Sequence, residues 1–105
     1  MAVAAQGYIL VTFRVHQEGD QYVSECLELG IASCGDTIDE AFSALEDATE
    51  LYLNEIEAEG ERERLFAERG ITIMPGEPED IYAFVPVHTR DIVSRRSLPV
   101  SLPAA

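Results

Sequence analysis

The sequence predicts one α+β domain with the element order β-β-β-α-α-β, and three observations predict it. Apolar and polar residues alternate over the first third of the chain, apolar residues then recur at helical spacing through the middle, and alternation returns near residue 81 after a loop rich in proline and glycine. A chain of 105 residues has room for a single such domain. It buries about 65% of its unfolded surface on folding, enough for one modest core.

Within residues 7–16, Ile9, Val11, Phe13 and Val15 share one face and Tyr8, Leu10, Thr12, Arg14 and His16 the other, which is the period of a strand. Glu18-Gly19-Asp20 is a tight turn, because glycine supplies a backbone conformation that other residues resist. A second strand over residues 21–27 and a short third over 30–33 complete an antiparallel meander. At Thr37 the period changes to that of a helix. Ile38, Ala41, Phe42, Leu45, Ala48, Tyr52 and Ile56 form the apolar stripe, while Asp39, Ser43, Glu46, Asp47, Glu50, Asn54 and Glu57 take the opposite side. Thr37-Ile38-Asp39-Glu40 reads as a capping box, in which the hydroxyl and the carboxylate each satisfy a free backbone amide. Gly60 ends or kinks this helix, and residues 61–69 form a short second helix closed by Gly70.

Residues 74–80, with Pro75, Gly76 and Pro78, read as a loop. In the last strand, over residues 81–93, Ile81, Ala83, Val85 and Val87 alternate with Tyr82, Phe84, Pro86 and His88. Pro86 has no amide to donate and places that strand at a sheet edge. From Ser94 onward no strong period is visible, so residues 1–93 are expected to form the domain and residues 94–105 a flexible tail. There is no internal repeat.

Acids outnumber bases 20 to 7 for a net charge of -13, yet 47% of residues are hydrophobic, so the chain is acidic and globular rather than disordered. Fourteen of the acids lie in residues 37–80, against three arginines, and every base in the chain is arginine. Such a surface repels phosphate backbones and offers few cations with which to release counterions. Direct nucleic-acid binding is therefore not expected, and a basic protein is the complementary partner. No stretch approaches the roughly 18 apolar residues of a membrane span. Residues 1–6 carry neither a basic residue nor an apolar run, so the expected compartment is the cytoplasm, with Cys26 and Cys34 as reduced thiols.

A longer pattern emerges around the change of period. The run Tyr22-Val23-Ser24-Glu25-Cys26-Leu27-Glu28-Leu29 is followed by Ser33-Cys34-Gly35-Asp36-Thr37-Ile38-Asp39-Glu40-Ala41, and then by Leu45 and Glu50-Leu51-Tyr52-Leu53. Over residues 8–57 the chain resembles the HicB family of antitoxins. That family's pattern is an aromatic-Val-Ala-Glu-Cys-Pro-Glu-Leu strand, a Gly-Asp-Thr turn, and a helix that contains Glu-Ala and ends in Glu-Leu-Tyr-Leu. The resemblance implies a partial ribonuclease H-like fold, in which three antiparallel strands and a helix lead to a fourth strand beside the first, expected to run parallel to it. It also implies a cognate HicA-type toxin, a small basic protein that cleaves messenger RNA, and assembly into dimers or higher oligomers. Leu27 stands where many members have proline. Only a short remainder follows Asp80, so no separate DNA-binding domain of the kind many members carry is expected.

The matched residues have structural explanations. Gly35 permits the turn into the helix, Asp36, Thr37 and Glu40 cap it, and Ala41 is small where helix meets sheet. Neither a catalytic residue nor a cofactor is expected. A two-metal nuclease needs carboxylates converging on the sheet, but the first strand has no acid from Tyr8 to His16, which leaves Glu25 to pair with Glu40, Asp47 or Glu50 of the helix. Cys26, Cys34, His16 and His88 lack a usual zinc spacing. Ser24 or Ser33 with either histidine makes no recognisable nucleophile arrangement. The feature that carries a hypothesis is the acidic helix face. Glu46, Asp47, Glu50, Asn54 and Glu57 either meet a basic partner or form a solvated face that keeps the protein soluble. In the tail, Arg90, Arg95 and Arg96 with Leu98, Val100 and Leu102 either wrap a partner or fray, and an open edge at the third strand invites self-association.

Overall fold

The longest strand, β1 (Gln6–Glu18), is the spine of an antiparallel sheet in the computed structural model, which describes residues 6–77, 84–86 and 91–102. Its alternation is realised as read: Ile9, Val11, Phe13 and Val15 are each at most 1% exposed. The chain reverses through Gly19 and Asp20 into β2 (Gln21–Cys26), with Glu18 opposite Gln21. Gly19 alone of that turn has a positive φ, 61°, as a two-residue hairpin loop with glycine in its first place requires. β2 then pairs with β3 (Ile31–Gly35), completing the meander.

Helix α1 (Ile38–Ala58) packs on the inner face of this meander. The Thr37 hydroxyl accepts the Glu40 amide at 3.0 Å, while the Glu40 carboxylate accepts the amide of Asp36, also at 3.0 Å. The reciprocal cap thus closes one residue earlier than the usual box, and Asp36 contributes its backbone. Gly35 is required for approach, not for a turn conformation: a Cβ there would stand 2.6 Å from the Ala41 amide nitrogen. The buried stripe of α1 is Ala41, Phe42, Leu45, Thr49, Leu53 and Ile56. It veers from the expected Ala48 and Tyr52, which are only partly buried. Helix α2 (Arg62–Arg69) follows and ends at Gly70 in the left-handed region, φ 68°, with Phe66 buried in the same core.

Three corrections concern the last third. Met74–Pro75, expected in a loop, forms the two-residue strand β4 opposite Gly7 and Tyr8 of β1. Residues 94–101, expected in a flexible tail, belong to strand β6 (Ile92–Ser101), which pairs with β1 from Val15↔Ile92 to Gln6↔Ser101. The strand next to β1 is therefore β6, and it runs antiparallel where a parallel neighbour was expected. The expected edge strand survives as β5 (Phe84–Pro86) at the end of the order β3-β2-β1-β6-β5, with Pro86 at that edge. β5 is antiparallel to β6 and so runs in the direction of β1, one place further out. The physical reason is that β1 has a second edge whose amides and carbonyls need partners, and the alternating Ser94, Arg96, Leu98 and Val100 provide a strand that fits it. Pro99 is tolerated because β5 pairs only with Ile92–Ser94, leaving the outer edge of β6 without a described neighbour at residue 99. Of the expected last strand, Ile92 and Val93 belong to β6, while residues 81–83 and 87–90, including His88 and Arg90, and the tail beyond residue 102 lie outside the described residues.

The Glu-Cys-Leu-Glu-Leu run closes a gap in the sheet. On one edge β1 pairs with β2 from Phe13 onward and with β4 at Gly7 and Tyr8, so Thr12 falls between the two ladders. Glu28, in the turn after β2, inserts its carboxylate there and accepts the Thr12 amide at 2.7 Å and its hydroxyl at 2.9 Å. Arg95 of β6 donates to the same hydroxyl at 2.9 Å and lies 3.5 Å from the carboxylate. In the same turn Leu29, 2% exposed, enters the core.

Candidate functional site

The sheet is wider than the helix that covers it. Strands lie about 4.8 Å apart, so the four intervals of the five-strand path span roughly 19 Å, whereas a helix with its side chains is about 10 Å across. α1 lies over β3 and β2 and reaches β1, while its backbone stays clear of β6. Between α1 and β6 runs a groove of two adjoining cavities of about 410 and 460 Å³, both lined by Leu53, Asn54 and Pro99.

Four of the five acidic-face residues converge on this groove. Glu46 and Glu50 line its first cavity, Glu57 the second, and Asn54 both, because spacings of four and three place them along one side of the helix. Asp47 is exposed but lines neither cavity. Leu53, Leu98 and Val100 make the wall apolar within the groove. Two arginines cross the gap, and both are largely withdrawn from solvent. Arg96 lies between the rings of Phe13 and Phe42, 5.4 and 5.2 Å from their centroids, and pairs with Glu46 at 2.5 Å. Arg62, 4% exposed, closes the far end, where it donates to Ser101 at 3.1 Å and lies 3.7 Å from Glu57. Its Nε is buried and has no acceptor. Ser101 in turn donates to Glu57 at 2.7 Å. Glu50 has neither an ion pair nor a hydrogen bond among the described residues. The charged groups exposed at this rim are carboxylates: the side chains of Glu46 and Glu57 are 48% and 52% exposed, against 22% and 4% for Arg96 and Arg62.

Among the described residues the nuclease, zinc and nucleophile constellations are not brought together, and His88 lies outside those residues. Glu25 pairs with Arg14 at 2.7 Å on the outer face of the sheet, opposite the face that carries Glu40, Asp47 and Glu50. Cys26 points into the core and Cys34 out of it, and both are free thiols. Burial pushes the Cys26 thiol up to about 11, so it stays protonated at neutral pH. His16 is also on the outer face, 3.1 Å from Glu18, whereas Ser24 faces inward with its hydroxyl buried and unpartnered. Among the described residues no three His, Cys, Asp or Glu side chains group as metal ligands.

Sequence reasoning missed Arg62, and it placed Arg96, Leu98 and Val100 in a tail that wraps a partner or frays rather than on a strand lining the groove. The signal for Arg96 was weak, since only Leu98 and Val100 repeat at a strand's spacing and an arginine on the inward face breaks the apolar pattern by which such a face is found. Arg62 carries no local sign of burial at all. No helix of the described residues is long and apolar enough to cross a membrane. Comparison with protein-family models, curated proteins and solved structures yields no match.

Proposed function

We propose that this chain is a non-catalytic binding protein, a HicB-like antitoxin that masks a small basic HicA-type toxin which cleaves messenger RNA. The observation that carries the reading is the row of Glu46, Glu50, Asn54 and Glu57 along an open groove with an apolar wall. Carboxylates placed there meet the cations with which a ribonuclease holds RNA, and association is correspondingly fast and sensitive to salt. The meander followed by a long helix supports a partial ribonuclease H-like fold, from which the antiparallel β6 is a departure. β3 is an edge strand without a charged residue, the surface we assign to homo-oligomer formation. An orphan domain regulating some other basic protein would use the same groove.

The test is purification of the tagged chain from its host at low salt, with mass spectrometric identification of what accompanies it. The expected result is a small basic protein that arrests growth when expressed alone and is silenced by co-expression of this chain. A basic companion without toxicity transfers the reading to the orphan regulatory domain. Ribonuclease activity of the isolated chain, lost on mutating its carboxylates, would overturn both.

A further inference from the structure

We infer that the groove between α1 and β6 is a helix seat, and that its occupant is an amphipathic helix of a protein partner, with an apolar face against Leu53, Leu98 and Val100 and an arginine or lysine flank along Glu46, Glu50 and Glu57. This rests on the binding-protein reading and specifies the segment of the partner that is bound. The argument is geometric first. One helix covers about half of a five-strand path, and the inner face of β6 lies where a second helix would pack beside α1. From Glu46 to Glu57 the helix rises about 16 Å, the length of three turns in the bound segment. The second argument is charge. The exposed groups on the rim are carboxylates, the guanidiniums are turned inward, and Glu50 awaits a partner. Neither helix among the described residues of a second copy fits that description: α1 has no basic residue, and α2 has eight residues, two of its three arginines being tied to neighbouring glutamates.

The test uses the full chain and three synthetic peptides of about fourteen residues at 150 mM salt, where exposed charges are screened beyond about 8 Å. The first is a capped amphipathic Leu/Arg helix, the second replaces each Arg by Glu, and the third carries a central proline. Calorimetry gives affinity and two-dimensional NMR gives location. The expected result is that only the first binds, with shifts concentrated at residues 46–57 and 96–101. Glu50→Arg then weakens binding at least tenfold, and Asn54→Trp, which fills the groove from an exposed position, abolishes it. Equal binding of the acidic peptide, shifts spread over the outer sheet face, or unchanged affinity in Asn54→Trp would each overturn the proposal. So would a wild-type dimer, seen by sedimentation, that is dissolved by Asn54→Trp, since a second copy would then occupy the groove. Failure of function is read separately: a toxin captured equally well by Asn54→Trp leaves the antitoxin reading standing without the groove, and a peptide bound in the groove without any toxin leaves the reverse.

Discussion

Replacing Glu28 with alanine removes a carboxylate that accepts both the amide and the hydroxyl of Thr12 where the two ladders of β1 part. Hydrogen bonds to a charged acceptor are worth about 1.5–3 kcal/mol each when lost. Thr12 is only partly buried, so water entering the gap recovers part of that. The ion pair with Arg95, whose side chain is 44% exposed, adds little. A net loss of about 2 kcal/mol follows. With an unfolding entropy of about 2.1 cal/mol/K per residue, that lowers the Tm by roughly 9 °C. Urea denaturation followed by far-UV circular dichroism measures the loss, and hydrogen exchange reports the Thr12 amide directly. Glu28→Gln keeps an acceptor for that amide and is expected to lose about half as much. A Glu28→Ala chain within about 0.5 kcal/mol of wild type, with the Thr12 amide still protected, would refute the reasoning.

Gly35→Ala forces a methyl against the backbone of the first turn of α1, 2.6 Å from the Ala41 nitrogen, and is expected to cost about 2 kcal/mol with a displaced helix start; unchanged stability with the Thr37 cap intact would contradict that contact. Cys34 is expected to react with a neutral thiol reagent at the rate of an exposed cysteine, while Cys26 reacts only on unfolding, and equal rates by mass spectrometry would count against the burial of Cys26. Because the folded Cys26 thiol titrates at about 11, above its ordinary value, the unfolded chain gives up this proton first as pH rises. Its contribution to stability is present at neutral pH and is lost progressively from about 9 to 11; in Cys26→Ala that part of the alkaline slope should vanish.

The meander and the helix start were legible because their signals are local. Ile9, Val11, Phe13 and Val15 alternate without interruption, Gly19 marks its turn, and Thr37 with Glu40 marks a cap that the structure builds from the neighbouring amide. The acidic row on α1 was legible for the same reason, since positions 46, 50, 54 and 57 share a side of any helix. Asp47 shows the limit of that reading: it falls on the same polar face and lies outside the groove, a difference of one residue's rotation that depends on where β6 stands.

Backbone preference, the two periods and the end signals are properties of residues a few places apart, and the sequence alone was sufficient for them. It determined an acidic α+β chain with a hairpin-linked meander, a capped long helix and a short helix closed by Gly70. The partner of β1's second edge was decided only in three dimensions, because a strand in that place is selected by ten residues of backbone pairing rather than by its own composition. Ser-Arg-Arg-Ser-Leu-Pro-Val-Ser carries little strand propensity, yet it becomes β6 when β1 offers unpaired amides and the Phe13 and Phe42 rings receive the Arg96 guanidinium. The groove is a consequence of that choice. It lies between a helix whose position local sequence announced and a strand whose position only the closure of the sheet could assign.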